Sequence, residues 1–534
     1  MFIHRIKKTN KKAKKVYISY LLRKTYRENG KVKTKTIANL SDWPKELIEN
    51  FERLLKGGKI VDINDKKYFS YEQGKNYGGL KVILEVCKEI GLTEIIPEVE
   101  IKKKIIFLLS GLILSRVKSK NYIANKWKSS QAIEEVLGIK KYINEDSLYE
   151  ILKYLSSNQI KIEQKLFKRL SQRPKEIFMY DITSSYVEGK EIELSEYGYN
   201  RDKKKGKKQI VIGLLTDKEG TPVSIEVFKG STRDFATVNK QLRKLKENLG
   251  VKEVVFVGDR GMIKNAQIDE ITSEKWKYIT SITKPEIEKL LKEEIFEMSL
   301  FDEKLCEIEY KNIRYILRKN PFREAEINQL LKEKILYLQE KINKKNRYLS
   351  KHKKSSLEVA YRNIEEIQKK LKLQKILIIE KDTPTKTIKL KINKEEQKKY
   401  LKLSGCYVIK TNIKTEKLNK EQVHERYKYL SKVERNFRDL KTNFLEIRPI
   451  FVRKEKQVRG HVFACMLALR IIRYVESKIK DLNIDIRYAF DLLDSVQYTI
   501  VNYEGRQIKK LPDKLRPEIN NMLECLKIKF ASYL

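Results

Sequence analysis

Alternating polar and apolar residues over Val16–Leu22 and Val32–Leu40, joined by Glu28–Lys31, predict a β-hairpin. The Asn29-Gly30 pair at its tip supplies the two positive-φ residues of a tight turn. A short helix over Pro44–Leu55 completes a small N-terminal unit, residues 1–70. The period then lengthens. Apolar positions recur every three or four residues in Leu80–Ile90, Ile101–Ile113 and Leu148–Leu170, which predicts a helical domain over 71–172.

At Ile177–Asp181 the pattern becomes a short apolar run ending on an acid. Gln209–Leu215 and Val223–Phe228 predict two strands joined by a turn at Asp217–Gly220. Phe235–Leu249 predicts a helix stopped by Gly250, with Asp234 as its N-cap. Val254–Val257 is a buried-type strand running into Gly258-Asp259-Arg260-Gly261, and Trp276–Ile282 is another. This order is mixed α/β, and 173–284 forms the first part of a core. Ala325–Leu373 predicts a long helix pair broken near Ser355-Ser356, so 285–402 is expected to interrupt that core. The core resumes over 403–480 with a strand at Cys406–Lys410, a long helix over Lys420–Phe444 and another over His461–Ile479. The remainder, 481–534, is expected to be helical.

Charge changes the picture. With 116 Lys and Arg against 72 Asp and Glu, the net charge is +44. Such a chain repels itself unless it meets a polyanion, and nucleic acid is the obvious one. The lysine cluster Lys7, Lys8, Lys11, Lys12, Lys14 and Lys15 makes the N-terminal unit a candidate DNA grip, and the helical domain is a second. The plainer reading is a lysine-rich, solvated surface, and a basic RNA-binding role is a further alternative. Hydrophobic residues at 41% exclude wholesale disorder. Five dispersed cysteines without a Cys-x-x-Cys pair, and four scattered histidines, argue against a zinc site or disulfide framework. A reducing cytoplasm is therefore expected. The apolar runs Ile105–Leu114 and Val462–Leu469 are too short to cross a bilayer, so no membrane partner is expected.

Three acids stand out by position. Asp181 and Asp259 are expected at strand ends, where open α/β sheets build their sites. Glu434 lies on the predicted helix with Tyr427 and Lys441 seven residues to either side, on one face. Each alone is weak: a strand-terminal Asp is usually a turn or cap residue, and a helical Glu beside Arg is usually a surface ion pair. Together they suit phosphodiester cleavage. Two magnesium ions about 3.5–4 Å apart stabilise both the attacking and the departing oxygen, and hard carboxylate oxygens hold them.

The stretch from Asp181 to Arg473 resembles the DDE transposases of bacterial insertion sequences, which have an RNase H-like core. Tyr427, Glu434 and Lys441 match a Tyr-x2-Arg-x3-Glu-x6-Lys signature in type and spacing, with Leu430 standing at the Arg position. Val257–Met262 is similar to the segment around the family's second acid. Gly213–Asp217, Gly220–Val223, Gly230–Asp234, Phe437–Lys441 and Arg459–Phe463 follow in the family's order. The resemblance implies that Asp181, Asp259 and Glu434 are catalytic and hold two Mg2+ ions, with Mn2+ able to substitute. It also implies that Tyr427, Lys441, Arg260 and Arg438 contact DNA, although Arg260 alone could simply neutralise the acids. The substrates would be double-stranded terminal inverted repeats and target DNA, brought together by a homodimer. Two alternatives stay open: an RNase H-like nuclease without strand transfer, and a DNA-binding derivative whose chemistry is lost. His461 is expected to pack near the start of its helix, and Trp276 to be core.

Overall fold

The computed structural model describes the chain except for residues 11–14, 59–68, 141–142, 171–176, 190, 200, 203, 205, 252–253, 260–262, 264, 274, 449, 451 and 504–505. It divides into two compact units. One comprises Met1–Lys75, Gln497–Lys514 and Phe530–Leu534; the other comprises Asn76–Val496 and Leu515–Lys529.

In the first unit, strands β1 (Phe2–Asn10), β2 (Lys15–Glu28) and β3 (Lys31–Asn39) form an antiparallel sheet in that order. The expected turn is present, with Asn29 and Gly30 at φ 49° and 76°. The helix Lys45–Leu55 closes a small core of Ile3, Leu22, Leu40 and Ile48. Lys11, Lys12 and Lys14 of the lysine cluster lie outside the described residues. Strand β4 (Phe69–Asn76) pairs with a hairpin of Gln497–Tyr503 and Arg506–Lys510. A helical C-terminal remainder is therefore only partly right. Tyr498–Val501 is a run of aromatic and β-branched residues, which suits a pleated surface better than a helix.

The second unit is built around a mixed eight-stranded sheet of order β10-β11-β14-β9-β8-β5-β6-β7. Its strands are β5 (Ile177–Tyr186), β6 (Gln209–Asp217), β7 (Pro222–Lys229), β8 (Val255–Gly258), β9 (Lys277–Ser281), β10 (Cys306–Tyr310), β11 (Ile313–Lys319), the separate hairpin β12 (Leu377–Asp382) with β13 (Thr387–Ile392), and β14 (Cys406–Thr411). β5 runs parallel to β8 and antiparallel to β6; β8 and β9 are parallel. One face packs on Phe178, Tyr180, Ile182, Val211, Phe256 and Trp276. All nine residues of β6 are buried.

The helices Glu145–Leu170 and Glu455–Ile479 cover the edge strand β7 and satisfy its outward backbone groups. Gln159 donates to the Ile225 carbonyl at 2.6 Å, and Glu163 accepts from the Ile225 amide at 3.2 Å. Arg459 and Arg470 donate to the carbonyls of Val227 and Pro222 at 2.6 and 2.7 Å. An edge sealed in this way offers no template for further strands. Glu163, fully buried, is paired with Lys244 at 2.6 Å, and Lys244 with Glu226 at 2.7 Å. The apolar run Val462–Leu469 is buried in this layer, and no described helix is long and apolar enough to cross a membrane.

Two expectations need correction. Part of the stretch expected to interrupt the core, β10 and β11, instead lengthens the sheet by pairing with β14. What stands apart is the helix pair Pro321–Lys351 and Leu357–Leu371 with the β12–β13 hairpin, around Leu338, Ile342, Ile364 and Leu377. The single helix over Lys420–Phe444 is also broken. It becomes Lys420–Lys428, Leu430–Arg438 and a π-helical turn, Asp439–Asn443. At the first break, the Tyr429 amide bonds to Arg426 and the Lys432 amide to Tyr429, each three residues back. Tightening there and loosening at the π turn shift the helical register.

Candidate active site

β5 continues to Tyr186, so Asp181 lies within a strand rather than at its end. Its position is set by the neighbour. The last paired residues of parallel β5 and β8 are Tyr180 and Gly258; Asp181 and Asp259 are each the next residue. Two acids thus emerge side by side where β8 stops. Because Tyr180 and Ile182 point into the core cluster, alternation turns Asp181 to the opposite face. Asp181 Oδ1 accepts from the Ile182 amide at 2.7 Å, and Asp259 is exposed.

Glu434 comes from the helix Leu430–Arg438, which buries Leu430, Val433, Asn436 and Phe437 and leaves Glu434 exposed. The β6–β7 turn holds this helix in place. Asn436 donates to the Gly220 carbonyl at 2.8 Å and Lys432 to the Lys218 carbonyl at 2.7 Å. Arg473 in turn donates to Asn436 Oδ1 at 2.7 Å. Gly220 has φ +86°, and a Cβ there would meet the Lys432 side chain.

Asp181, Asp259 and Glu434 line one cavity of about 570 Å³, together with Ser281, Tyr407, Tyr427, Leu430 and Ser431. Burial pushes the Asp181 carboxyl up to about 7, and the negative charges of Asp259 and Glu434 add to the rise. The Ile182 amide and the Arg201 charge pull the other way. Among the described residues, no three His, Cys, Asp or Glu side chains close into a ready ligand cluster. The donor chemistry nonetheless fits a hard divalent cation, since three carboxylates face one cavity and their mutual repulsion is what a cation would relieve.

Tyr427 belongs to this site. Its hydroxyl donates to Ser281 Oγ at 2.9 Å and lies 3.3 Å from Asp259 Oδ1. Leu430, at the place of the family's Arg, is a buried wall of the cavity. Lys441 does not line it. Carried away by the helix breaks, it binds Asp202 Oδ1 at 2.8 Å, while Arg448 binds Asp202 Oδ2 at 2.6 Å. Arg438 is exposed one turn beyond Glu434 and lines a different hollow with Phe444 and Arg487. Arg260 lies outside the described residues. Asp234 is the first residue of its helix and pairs with Arg201 at 2.6 Å; Arg233 takes the N-cap position. His461 is inside its helix rather than at the start, buried against Lys120 at 3.1 Å. Trp276 is core, as expected. Ser281, Arg201, Asp202 and Arg473 carried no local signal, because each matters through a partner distant in the chain.

A family model described as the transposase DDE domain matches residues 172–471. A second, the N-terminal domain of IS1634 family transposases, matches residues 5–62. No curated protein sequence matches the chain. Among solved structures, a piggyBac transposase synaptic complex with hairpin DNA is similar at 9% identity over 78% of each chain, with a TM-score of 0.36. A Mos1 transposase paired-end complex with the left transposon end is similar at 16% identity over 44% of this chain and 68% of that one, with a TM-score of 0.15. Both likenesses are too distant to define this fold. The DDE-domain match spans more than half of the sequence, and the chain belongs to the DDE transposases of insertion sequences.

Proposed function

We propose that this chain excises its element by cutting DNA at terminal inverted repeats and joins the freed ends to target DNA, using an RNase H-like core. Asp181, Asp259 and Glu434 are the proposed catalytic carboxylates and the holders of two divalent cations, Mg2+ or Mn2+. The observation that carries the reading is that three acids, from chain stretches far apart, line one cavity.

Bound divalent cations would supply Lewis-acid stabilisation of the charge that develops on both oxygens of an in-line displacement. The chain's own residues do the rest. Asp181 sits on a rigid strand and would hold a cation as the deprotonated carboxylate. Tyr427, held by Ser281, sets the position of Asp259, and the β6–β7 turn fixes the helix that carries Glu434. In the first step a water oxygen bonds to phosphorus, the bond to the 3′ oxygen breaks, and that oxygen leaves as a 3′-hydroxyl. In the second, this hydroxyl attacks a target phosphate and a target 3′-hydroxyl departs. One phosphodiester replaces another, with no covalent protein–DNA intermediate.

Arg438 and, by resemblance, Arg260 are proposed as phosphate contacts, and Tyr427 as a contact to the strand near the cut. Lys441 reaches a phosphate only by giving up Asp202. Synapsis of two ends calls for a homodimer. The test is nicking of a plasmid carrying the DNA that borders the gene on both sides. Metal-dependent nicking should fall by about 10³-fold or more in Asp181→Asn, Asp259→Asn and Glu434→Gln while DNA binding persists. Joining of pre-cut ends separates a transposase from a nuclease. Undiminished nicking in these variants would refute the assignment.

A further inference from the structure

The N-terminal unit carries a projecting ribbon that, among the described residues, packs against no core. β1 begins at Phe2 opposite Arg23, so Lys24–Glu28 and Lys31–Lys35 pair only with each other. They extend roughly 17 Å beyond the three-stranded sheet. The core residues Ile3, Tyr20, Leu22, Ala38, Leu40 and Ile48 all lie at its base, and every residue from Lys24 to Lys35 is exposed.

Its two faces differ. Register puts Lys24 opposite Lys35, Tyr26 opposite Lys33 and Glu28 opposite Lys31 on one face. Like charges directly opposite one another destabilise a pair of strands, and a two-stranded ribbon is marginal in water. Glu28 is the only acid, bound by Lys33 at 2.6 Å. The other face presents Thr25 opposite Thr34 and Arg27 opposite Val32. Lysines on β3 alone would protect an exposed edge strand; an opposite face of Arg27 among methyl-bearing residues has no such use.

We propose that this ribbon enters the major groove of double-stranded DNA, with Arg27, Thr25, Val32 and Thr34 toward base edges and the lysines toward phosphates. A two-stranded ribbon fits the major groove, about 12 Å wide, without deforming the duplex, whereas the minor groove, about 6 Å wide, has to be opened at a cost. Arginine pairs with guanine O6 and N7, and threonine and valine methyls meet the thymine methyl. The deep, narrow major groove of A-form RNA excludes it. The inference rests on the reading of the chain as a DNA transposase and supplies the surface by which it would read sequence.

Full-length Asp259→Asn protein is bound to duplexes covering the DNA that borders the gene, with the same sequences as duplex RNA for competition. Dimethyl sulfate methylates guanine N7 in the major groove and adenine N3 in the minor groove, so one interference experiment reads both. N7 methylation within a few base pairs should block binding. Adding Arg27→Ala should remove interference at a guanine with little change in salt dependence. Adding Lys24→Gln, Lys33→Gln and Lys35→Gln together should weaken binding at least ~10-fold at about 0.1 M salt and reduce the salt slope by about 2–3. Thermal unfolding checks that the variants stay folded. The proposal is overturned if they keep the parent's pattern and slope, if interference falls at adenine N3, or if RNA competes as well as DNA. Intact N7 interference beside a wild-type protein that never nicks DNA would instead overturn only the transposase reading.

Discussion

Asp181 and Tyr427 show how much of the chemistry rests on neighbours. A buried carboxyl resists ionisation, and two acids nearby add to that resistance. Tyr427 acts here through Asp259, whatever else it touches when DNA is bound. Tyr427→Phe removes the hydroxyl and leaves the ring, so nicking should slow by about 10-fold with DNA affinity nearly unchanged. An equal loss of affinity would make Tyr427 a DNA contact first. Buried lysines give a pH test of the packing. Burial lowers Lys120 to about 8, with His461 as its neighbour. The unfolded chain therefore binds the extra proton between pH 8 and 10.5, and this group costs stability at neutral pH that is regained as pH rises. Denaturant unfolding should show wild type gaining on Lys120→Met by up to about 3 kcal/mol over that window. A constant gap would mean that Lys120 is not buried as charged.

At the scale of elements, the Glu434 helix depends on a turn more than two hundred residues earlier. The core strands β5 to β9, the Asn29-Gly30 hairpin and the Asp217–Gly220 turn were legible because local patterning and turn chemistry decide them. The breaks after Lys428 and at Asp439 were not. Nothing in a regular seven-residue spacing announces a register shift enforced by Asp439 pairing with Arg473. Lys441 was placed on the wrong face for that reason. β10 and β11 were missed as core strands because their partner, β14, lies almost ninety residues on. Gly220→Ala should strain a left-handed residue by about 1–2 kcal/mol and press on Lys432. It should lower both the unfolding temperature and the nicking rate, while the same change at Gly206, exposed in a loop with open space around it, should lower only stability. The polar clamp on β7 is a second test. Lys244→Met leaves the buried Glu163 unpaired and should cost about 3–5 kcal/mol, and adding Glu163→Gln should restore much of it. Simple additivity of the two changes would show that they do not act as a pair.

For the whole molecule, the charge of +44 pointed to a polyanion at once, and the acids within it are the informative minority. Asp181, Asp259 and Glu434 could be singled out from strand and helix positions and from the family resemblance. Their meeting at one cavity required the fold, since it depends on two parallel strands in register and a helix pinned from the side. The most direct measurement is Mn2+ binding by electron paramagnetic resonance, on the full chain with DNA bound. Wild type should take up two ions, and Asp181→Asn, Asp259→Asn and Glu434→Gln should each lose at least one or bind markedly more weakly. Two tightly held ions in Glu434→Gln, indistinguishable from wild type, would contradict the account.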